Sequence, residues 1–221
     1  MDFLRQLDIL SPERHKNRRI DVIGVGATGS YVCWQLAKIG MENIHIWDDD
    51  RIEDHNLPNQ CFLQSHIGQP KTAAVSDLIE QCAGVKPTEY IKKANGKETF
   101  GEIVFLLTDT MSSRKQIWEG SLKYKLNTRL LIETRISADS GRIYGINPSK
   151  PSHIKGWEEA SQYSDEEAET SACGASASIA PTACLIASVA VWQLIHWFNG
   201  QIFPNEILIS ANPWTPVSRD L

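Results

Sequence analysis

Ile20-Asp21-Val22-Ile23-Gly24-Val25-Gly26-Ala27-Thr28-Gly29 opens with a short apolar-rich run, begun at Arg19, and breaks into three glycines. Helix-like spacing follows from Ala27 to Lys38, and Gly40 supplies a stop. The order is strand, turn, helix. In Gly24-x-Gly26-x-x-Gly29 the first glycine permits the tight turn and the second lets a phosphate approach the backbone. The third lets helix and strand pack closely. The helix beginning at Ala27 offers free N–H groups and a partial positive charge to an anion. Ile44-His45-Ile46-Trp47 reads as the next strand and ends in Asp48-Asp49-Asp50. This is a βαβ unit of the size a parallel crossover needs. Asp48 then stands where a nucleotide's ribose hydroxyl finds an acceptor.

Working outward, Pro70 opens a helix expected to run to Cys82, and Glu89–Lys92 reads as a third strand. Ile103-Val104-Phe105-Leu106-Leu107 is the continuous apolar run of a central parallel strand. It ends at Thr108-Asp109, and a helix is expected from Ser112 to Gly120. Arg129–Thr134 and Arg142–Ile146, separated by a segment ending in Gly141, predict an antiparallel pair. The expectation is an α/β, Rossmann-like mixed sheet, with a parallel nucleotide-binding half and antiparallel strands in the C-terminal half. Residues 148–172 collect Glu158, Glu159, Asp165, Glu166, Glu167 and Glu169, the composition of an exposed loop. Ile179–Phe198 is long and apolar, but Pro181, Thr182, Gln193 and His196 interrupt it, which favours a buried helix over a membrane span.

A net charge of −5 disfavours a nucleic-acid partner. Cys33, Cys61, Cys82, Cys173 and Cys184 form no Cys-x-x-Cys pair, so neither a disulfide framework nor a thiolate zinc site is expected. Met1-Asp2-Phe3-Leu4-Arg5 is not a basic region followed by an apolar run, and the expected location is the cytoplasm.

The chain continues Asp48-Asp49-Asp50, Asn56-Leu57-Pro58-Asn59-Gln60, Gly68-Gln69-Pro70-Lys71 and Thr108-Asp109-Thr110. This succession resembles the ThiF/MoeB-type adenylyltransferases, the ubiquitin-activating-enzyme-like family. That family carries Asp-x-Asp, Asn-Leu-x-Arg-Gln, Gly-x-x-Lys and Thr-Asp-Asn in the same order after its glycine turn. The resemblance implies a single adenylation domain over 1–221 that binds ATP at Gly24, Gly26, Ala27, Gly29, Asp48, Asp50, Asn56, Asn59, Lys71 and Thr110. It implies that Asp48 holds the ribose, Asn56 and Lys71 contact phosphates, and Asp109 coordinates magnesium. Arg5-Gln6 matches an Arg-Gln whose arginine reaches the partner's triphosphate in a homodimer. Cys173, eight residues before Pro181, matches the cysteine that in some members takes the acyl group after adenylation. The implied substrate is the C-terminal carboxylate of a small ubiquitin-like or sulfur-carrier protein ending in Gly-Gly.

Two positions depart from the pattern. Asn59 stands where the family has arginine, and an amide lacks the guanidinium's charge-assisted contacts to phosphate. Arg51, Arg114 or a partner's Arg5 are the candidate substitutes. Thr110 replaces an asparagine. A nucleotide-binding scaffold without turnover is therefore the second reading. A dinucleotide oxidoreductase is the third, and it leaves Lys71 and Asp109 unused.

Overall fold

The computed structural model describes residues 1–162 and 178–221. The strands are β1 (Ile20–Ile23), β2 (Ile44–Trp47), β3 (Thr88–Tyr90), β4 (Ile103–Leu106), β5 (Leu130–Ile136), β6 (Ser140–Ile146), β7 (Glu206–Ala211) and β8 (Trp214–Arg219). The helices are α1 (Ala27–Lys38), α2 (Lys71–Ala83), α3 (Met111–Ile117), α4 (Pro151–Glu159) and α5 (Ala180–Phe198). The strands form a single sheet in the order β3-β2-β1-β4-β5-β6-β7-β8. Pairing is parallel from β3 through β5 and antiparallel from β5 through β8. The mixed sheet expected from the sequence is thus observed. Its strand order reverses between β1 and β4, and a crevice opens beyond the carboxyl ends of strands at such a switch point.

Burial on both faces explains the uninterrupted apolar strands. Ile103 and Phe105 of β4 join Ile20 and Val22 of β1 in a core covered by α1, α2 and α5. Val104 and Leu106 turn the other way, toward Ile117 of α3 and Trp157 of α4. Helix α5 is long and apolar enough to cross a membrane. Here it lies on the sheet, with Ile186, Ala187, Ala190 and Leu194 fully buried in the first core.

Three expectations need correction. Part of the segment read as an exposed loop, 148–172, is helix α4, because Ile154 and Trp157 share one face and are buried. Trp157 stacks on Trp118 with ring centroids 4.4 Å apart. The acidic residues Glu158 and Glu159 decorate the end of a packed helix, and the rest of that segment, from 163 on, lies outside the described residues. The helix expected from Ser112 to Gly120 begins at Met111 and ends at Ile117, where a π turn over Trp118–Leu122 takes over. Gly120 sits so close to Gly96 that a Cβ there would fall 2.1 Å from the Gly96 carbonyl oxygen. The third strand covers Thr88–Tyr90 rather than Glu89–Lys92.

The glycine turn shows why two of its glycines are needed. Gly24 has φ of +87°, and a Cβ on Gly29 would stand 2.0 Å from the Gly24 carbonyl oxygen. Helix α1 can approach the end of β1 only without a side chain there. Gly29→Ala is expected to destabilise the fold by about 3 kcal/mol. Gly84→Ala, at the left-handed C-cap of α2 with nothing within 4 Å of the added methyl, should cost about 1–2 kcal/mol. Urea unfolding of the two variants checks the ranking, and equal losses would contradict the close-approach argument.

Candidate functional site

A cleft of about 480 Å³ lies at the carboxyl ends of β1, β2 and β4. Its floor is the glycine turn. Helix α1 has Gly26 as its N-cap and no side-chain cap, and among the described residues no side chain occupies its first-turn N–H groups. A Cβ on Gly26 would meet nothing nearer than Gln60 Nε2 at 4.0 Å, so the backbone faces open space.

Asp48, at the end of β2, is tied to this floor. Its Oδ2 accepts the Val25 N–H at 2.8 Å and its Oδ1 accepts the Asp50 N–H at 2.9 Å. Burial pushes its carboxyl above the usual aspartate range. The Val25 N–H and the Lys71 charge oppose that shift without cancelling it. Lys71, the first residue of α2, is only 7% exposed. Its Nζ donates to Asp50 Oδ2 at 2.7 Å, and its backbone N–H donates to the Asp50 carbonyl at 2.9 Å. A cation this buried is not a surface lysine that happens to follow a proline. The carboxylate oxygens of Asp48, Asp49 and Asp50 lie within 4.8 Å of one another, but Asp48 is engaged by backbone and Asp50 by Lys71.

Asn56 is buried, and its Oδ1 accepts the Glu53 N–H at 2.9 Å. Asn59 donates from Nδ2 to Ser178 Oγ at 2.5 Å. Opposite, Asp109 is exposed on the wall that follows β4. It is not the cap of α3: Thr110 fills that role, its hydroxyl accepting the Ser113 N–H at 3.3 Å. Gly24, Gly26, Ala27, Asp48, Asp50, Asn56, Asn59, Lys71 and Asp109 therefore line one cleft. Gly29 and Thr110 do not, the first because it packs against Gly24 and the second because it caps a helix. Arg5 sits exposed in the turn Leu4–Gln6 and does not line its own chain's cleft. Cys173 lies outside the described residues.

The ThiF family model matches residues 4–216. The chain belongs to the ThiF family. Over 133 residues it is 26% identical to the molybdopterin-synthase adenylyltransferase of Escherichia coli (strain K12), covering 56% of this chain and 52% of that protein. It is 33% identical over 105 residues to the NEDD8-activating enzyme E1 catalytic subunit of Arabidopsis thaliana, covering 45% of this chain and 23% of that one. The matches span about half or less of these curated relatives. Among solved structures, E. coli MccB with ATP is similar with a TM-score of 0.71 at 18% identity, over 95% of this chain and 65% of that one. That likeness concerns the fold.

The cleft of this ThiF-family chain also contains Lys92, Lys93 and Ser113, which the sequence motifs did not flag. Lys92 and Lys93 stand on its rim, Lys92 with its Nζ 5.2 Å from the Trp47 ring centre. Gln60, Thr108 and Ser113 line it with buried side-chain oxygens that have no partner among the described residues, and so does Asn59 with Oδ1. Orphaned buried oxygens are costly without a partner, and a polar ligand in the cleft supplies one. Of the arginines suggested for the place of Asn59, Arg51 donates to the Gly68 carbonyl at 2.7 Å and does not line the cleft. Arg114 does line it, buried, with Nη1 on Glu133 Oε1.

Glu133 of β5 is fully buried and also accepts from Arg135 Nε at 2.6 Å and from Trp157 Nε1 at 2.6 Å. Burial pushes its carboxyl up, but Arg135 and Arg114 outweigh that and hold it below the usual glutamate value of 4.5. A depressed folded pKa contributes stability that is complete above the unfolded value and lost as pH falls through the folded one. Stability of the wild type should therefore drop as pH falls below 4.5. Glu133→Gln should be less stable at pH 7 and show a shallower decline over the same acid range. Urea midpoints measured from pH 7 to pH 3 compare them, and parallel curves would refute the assignment.

Proposed function

We propose that this chain adenylates the C-terminal carboxylate of a small ubiquitin-like or sulfur-carrier protein at the expense of ATP. The observation that carries the reading is Lys71: a lysine buried at a helix start, held by Asp50, in the same cleft as an uncapped glycine-turn helix. A ligand with several negative charges is what such a cation and such N–H groups suit. A nucleotide triphosphate fits the donor set better than a dinucleotide, since Lys71 and Asp109 then both have work. The orphaned hydroxyls of Thr108 and Ser113 likewise gain acceptors in phosphate oxygens.

In this reading Asp48 accepts from the ribose, the N–H groups at Ala27 and the NH2 group of Asn56 bind phosphates, and Lys71 exchanges Asp50 for phosphate oxygen. Asp109 is the hard oxygen ligand that would hold magnesium, whose charge neutralises the triphosphate when it is bound. The carboxylate of the carrier attacks the α-phosphate and pyrophosphate leaves. The protein contributes positioning and charge, because in-line attack by a carboxylate needs no covalent help. Arg5 of a second copy in a homodimer adds charge at the triphosphate. Where a thioester step follows, the Cys173 sulfur attacks the acyl carbon of the adenylate, its thiol proton is lost and AMP leaves.

One observation favours a second reading, a nucleotide-binding scaffold without turnover. Asn59 occupies the arginine position and spends its donor on Ser178, so it brings no positive charge to the phosphates. Pyrophosphate exchange into ATP, with a candidate Gly-Gly carrier present, separates the two. Exchange is expected in the wild type, to fall about a hundredfold in Lys71→Ala, and to rise in Asn59→Arg. ATP binding with no exchange across a panel of such carriers would overturn the enzyme reading in favour of the scaffold.

A further inference from the structure

The backbone that carries Asp109 is pinned from behind. The carbonyl of Thr108, one residue earlier, accepts from Arg114 Nε at 2.8 Å and from Arg114 Nη2 as well. Two donors of one guanidinium on one carbonyl fix both its position and its direction. The third nitrogen, Nη1, is on Glu133. Glu133 is in turn held from the far side by Trp157 Nε1 on α4 at 2.6 Å. Helix α4 is anchored at the same place a second time. Arg135, whose Nε and Nη2 both lie on Glu133, donates from Nη1 to the Ala160 carbonyl at 2.8 Å and from Nη2 to Ser161 Oγ at 2.8 Å.

A continuous line of hydrogen bonds therefore runs from α4, through the Glu133 carboxylate and the Arg114 guanidinium, to the peptide before Asp109. Its members are buried, with Trp157, Glu133 and Arg114 at 1%, 0% and 6% exposure. A buried ion pair alone is weak evidence for anything beyond a stable core. Two features here go further. Arg114 lines the cleft, and its fork ends on the peptide adjoining the carboxylate that the proposed reaction uses.

We propose that Arg114, Glu133 and Trp157 are positioning residues for the divalent cation held by Asp109, with α4 setting the place of the Thr108–Asp109 backbone. The inference rests on the ATP and magnesium reading of the cleft. Outer groups that orient a metal ligand are worth about tenfold or more in metal affinity when removed. Lysine cannot replace Arg114, because a single ammonium cannot present the fork that meets Thr108 twice and Glu133 once.

Calorimetric titration of ATP at increasing Mg2+ tests this without any carrier or turnover. The wild type, Trp157→Phe, Arg114→Lys, Asp109→Asn and the double variant Asp109→Asn/Trp157→Phe are compared, after circular dichroism shows which are folded. Trp157→Phe and Arg114→Lys should each raise the Mg2+ concentration needed for half of the affinity gain by about tenfold. Their ATP affinity in EDTA should fall by a smaller factor than the Mg2+ midpoint rises, since Thr108 also faces the cleft. Adding Trp157→Phe to Asp109→Asn should change nothing further, since the two act on one ligand. Where Trp157→Phe does not fold, Arg114→Lys, which leaves the Trp118 stack intact, decides. A wild-type Mg2+ midpoint in folded Trp157→Phe or Arg114→Lys overturns this inference alone, as does a Trp157→Phe effect that persists in full without Asp109. A wild-type chain whose ATP affinity ignores Mg2+ overturns the reading of the cleft as well.

Discussion

The hydrogen bond from the Val25 N–H to Asp48 Oδ2 joins the glycine turn to the end of the neighbouring strand. Much of the cleft follows from it. The turn needs Gly24 at positive φ and Gly29 without a side chain, so that α1 can start directly over the end of β1. Asp48 holds that turn down while its other oxygen accepts the Asp50 N–H. Asp50 then presents a carboxylate and a carbonyl to Lys71, which fixes the start of α2. One half-buried carboxylate thus sets the relative places of two helix N-termini and of the cation between them. Its raised pKa, caused first by burial, is the cost of putting a charge there.

The parallel half of the sheet was legible because its signals are local. Ile20–Ile23, Ile44–Trp47 and Ile103–Leu106 are apolar-rich runs closed by glycine or by polar residues, and α1 has the bounds its spacing predicts. The cleft residues in motifs were legible for the same reason: glycine, aspartate, asparagine and lysine at fixed intervals carry their geometry with them. Helix α4 was not legible, since Ile154 and Trp157 are its only buried residues and Glu158 and Glu159 outweigh them in composition. Strand β8 was missed because it is exposed along its whole length. Thr110 misled by position: it stands beside Asp109 but turns its hydroxyl to the helix.

The groups that hold the cleft wall from distant elements left no local mark. Arg114 was a candidate by its type alone, but what holds it is Glu133, 19 positions away on β5, and Glu133 is held in turn by Trp157, 24 positions further on α4. No spacing rule connects the three. A sequence shows which carboxylate suits a cation, while the groups that aim that carboxylate come from tertiary packing.

The replacement of arginine by Asn59 takes a different meaning in this setting. An arginine brought to phosphate from the segment after β2 would add charge on the Lys71 side of the cleft. Here that segment instead forms a neutral wall, with Asn59 on Ser178 and the amide oxygens of Asn59 and Gln60 buried and without partners among the described residues. Buried acceptor oxygens favour a ligand that brings donors, such as hydroxyls or metal-bound water, over bare phosphate oxygen. Positive charge lies elsewhere, in Lys71 at one end, in Lys92 and Lys93 on the rim and in Arg114 behind the opposite wall. Lys71 and Arg114 differ in how they are held. Lys71 is paired with a single carboxylate that is itself largely exposed, an ion pair that an anion can compete with. Arg114 is locked to a fully buried glutamate and to a carbonyl, so it can act on a ligand only through the backbone it holds. A cation that is free to turn and one that can only hold backbone thus sit on opposite walls.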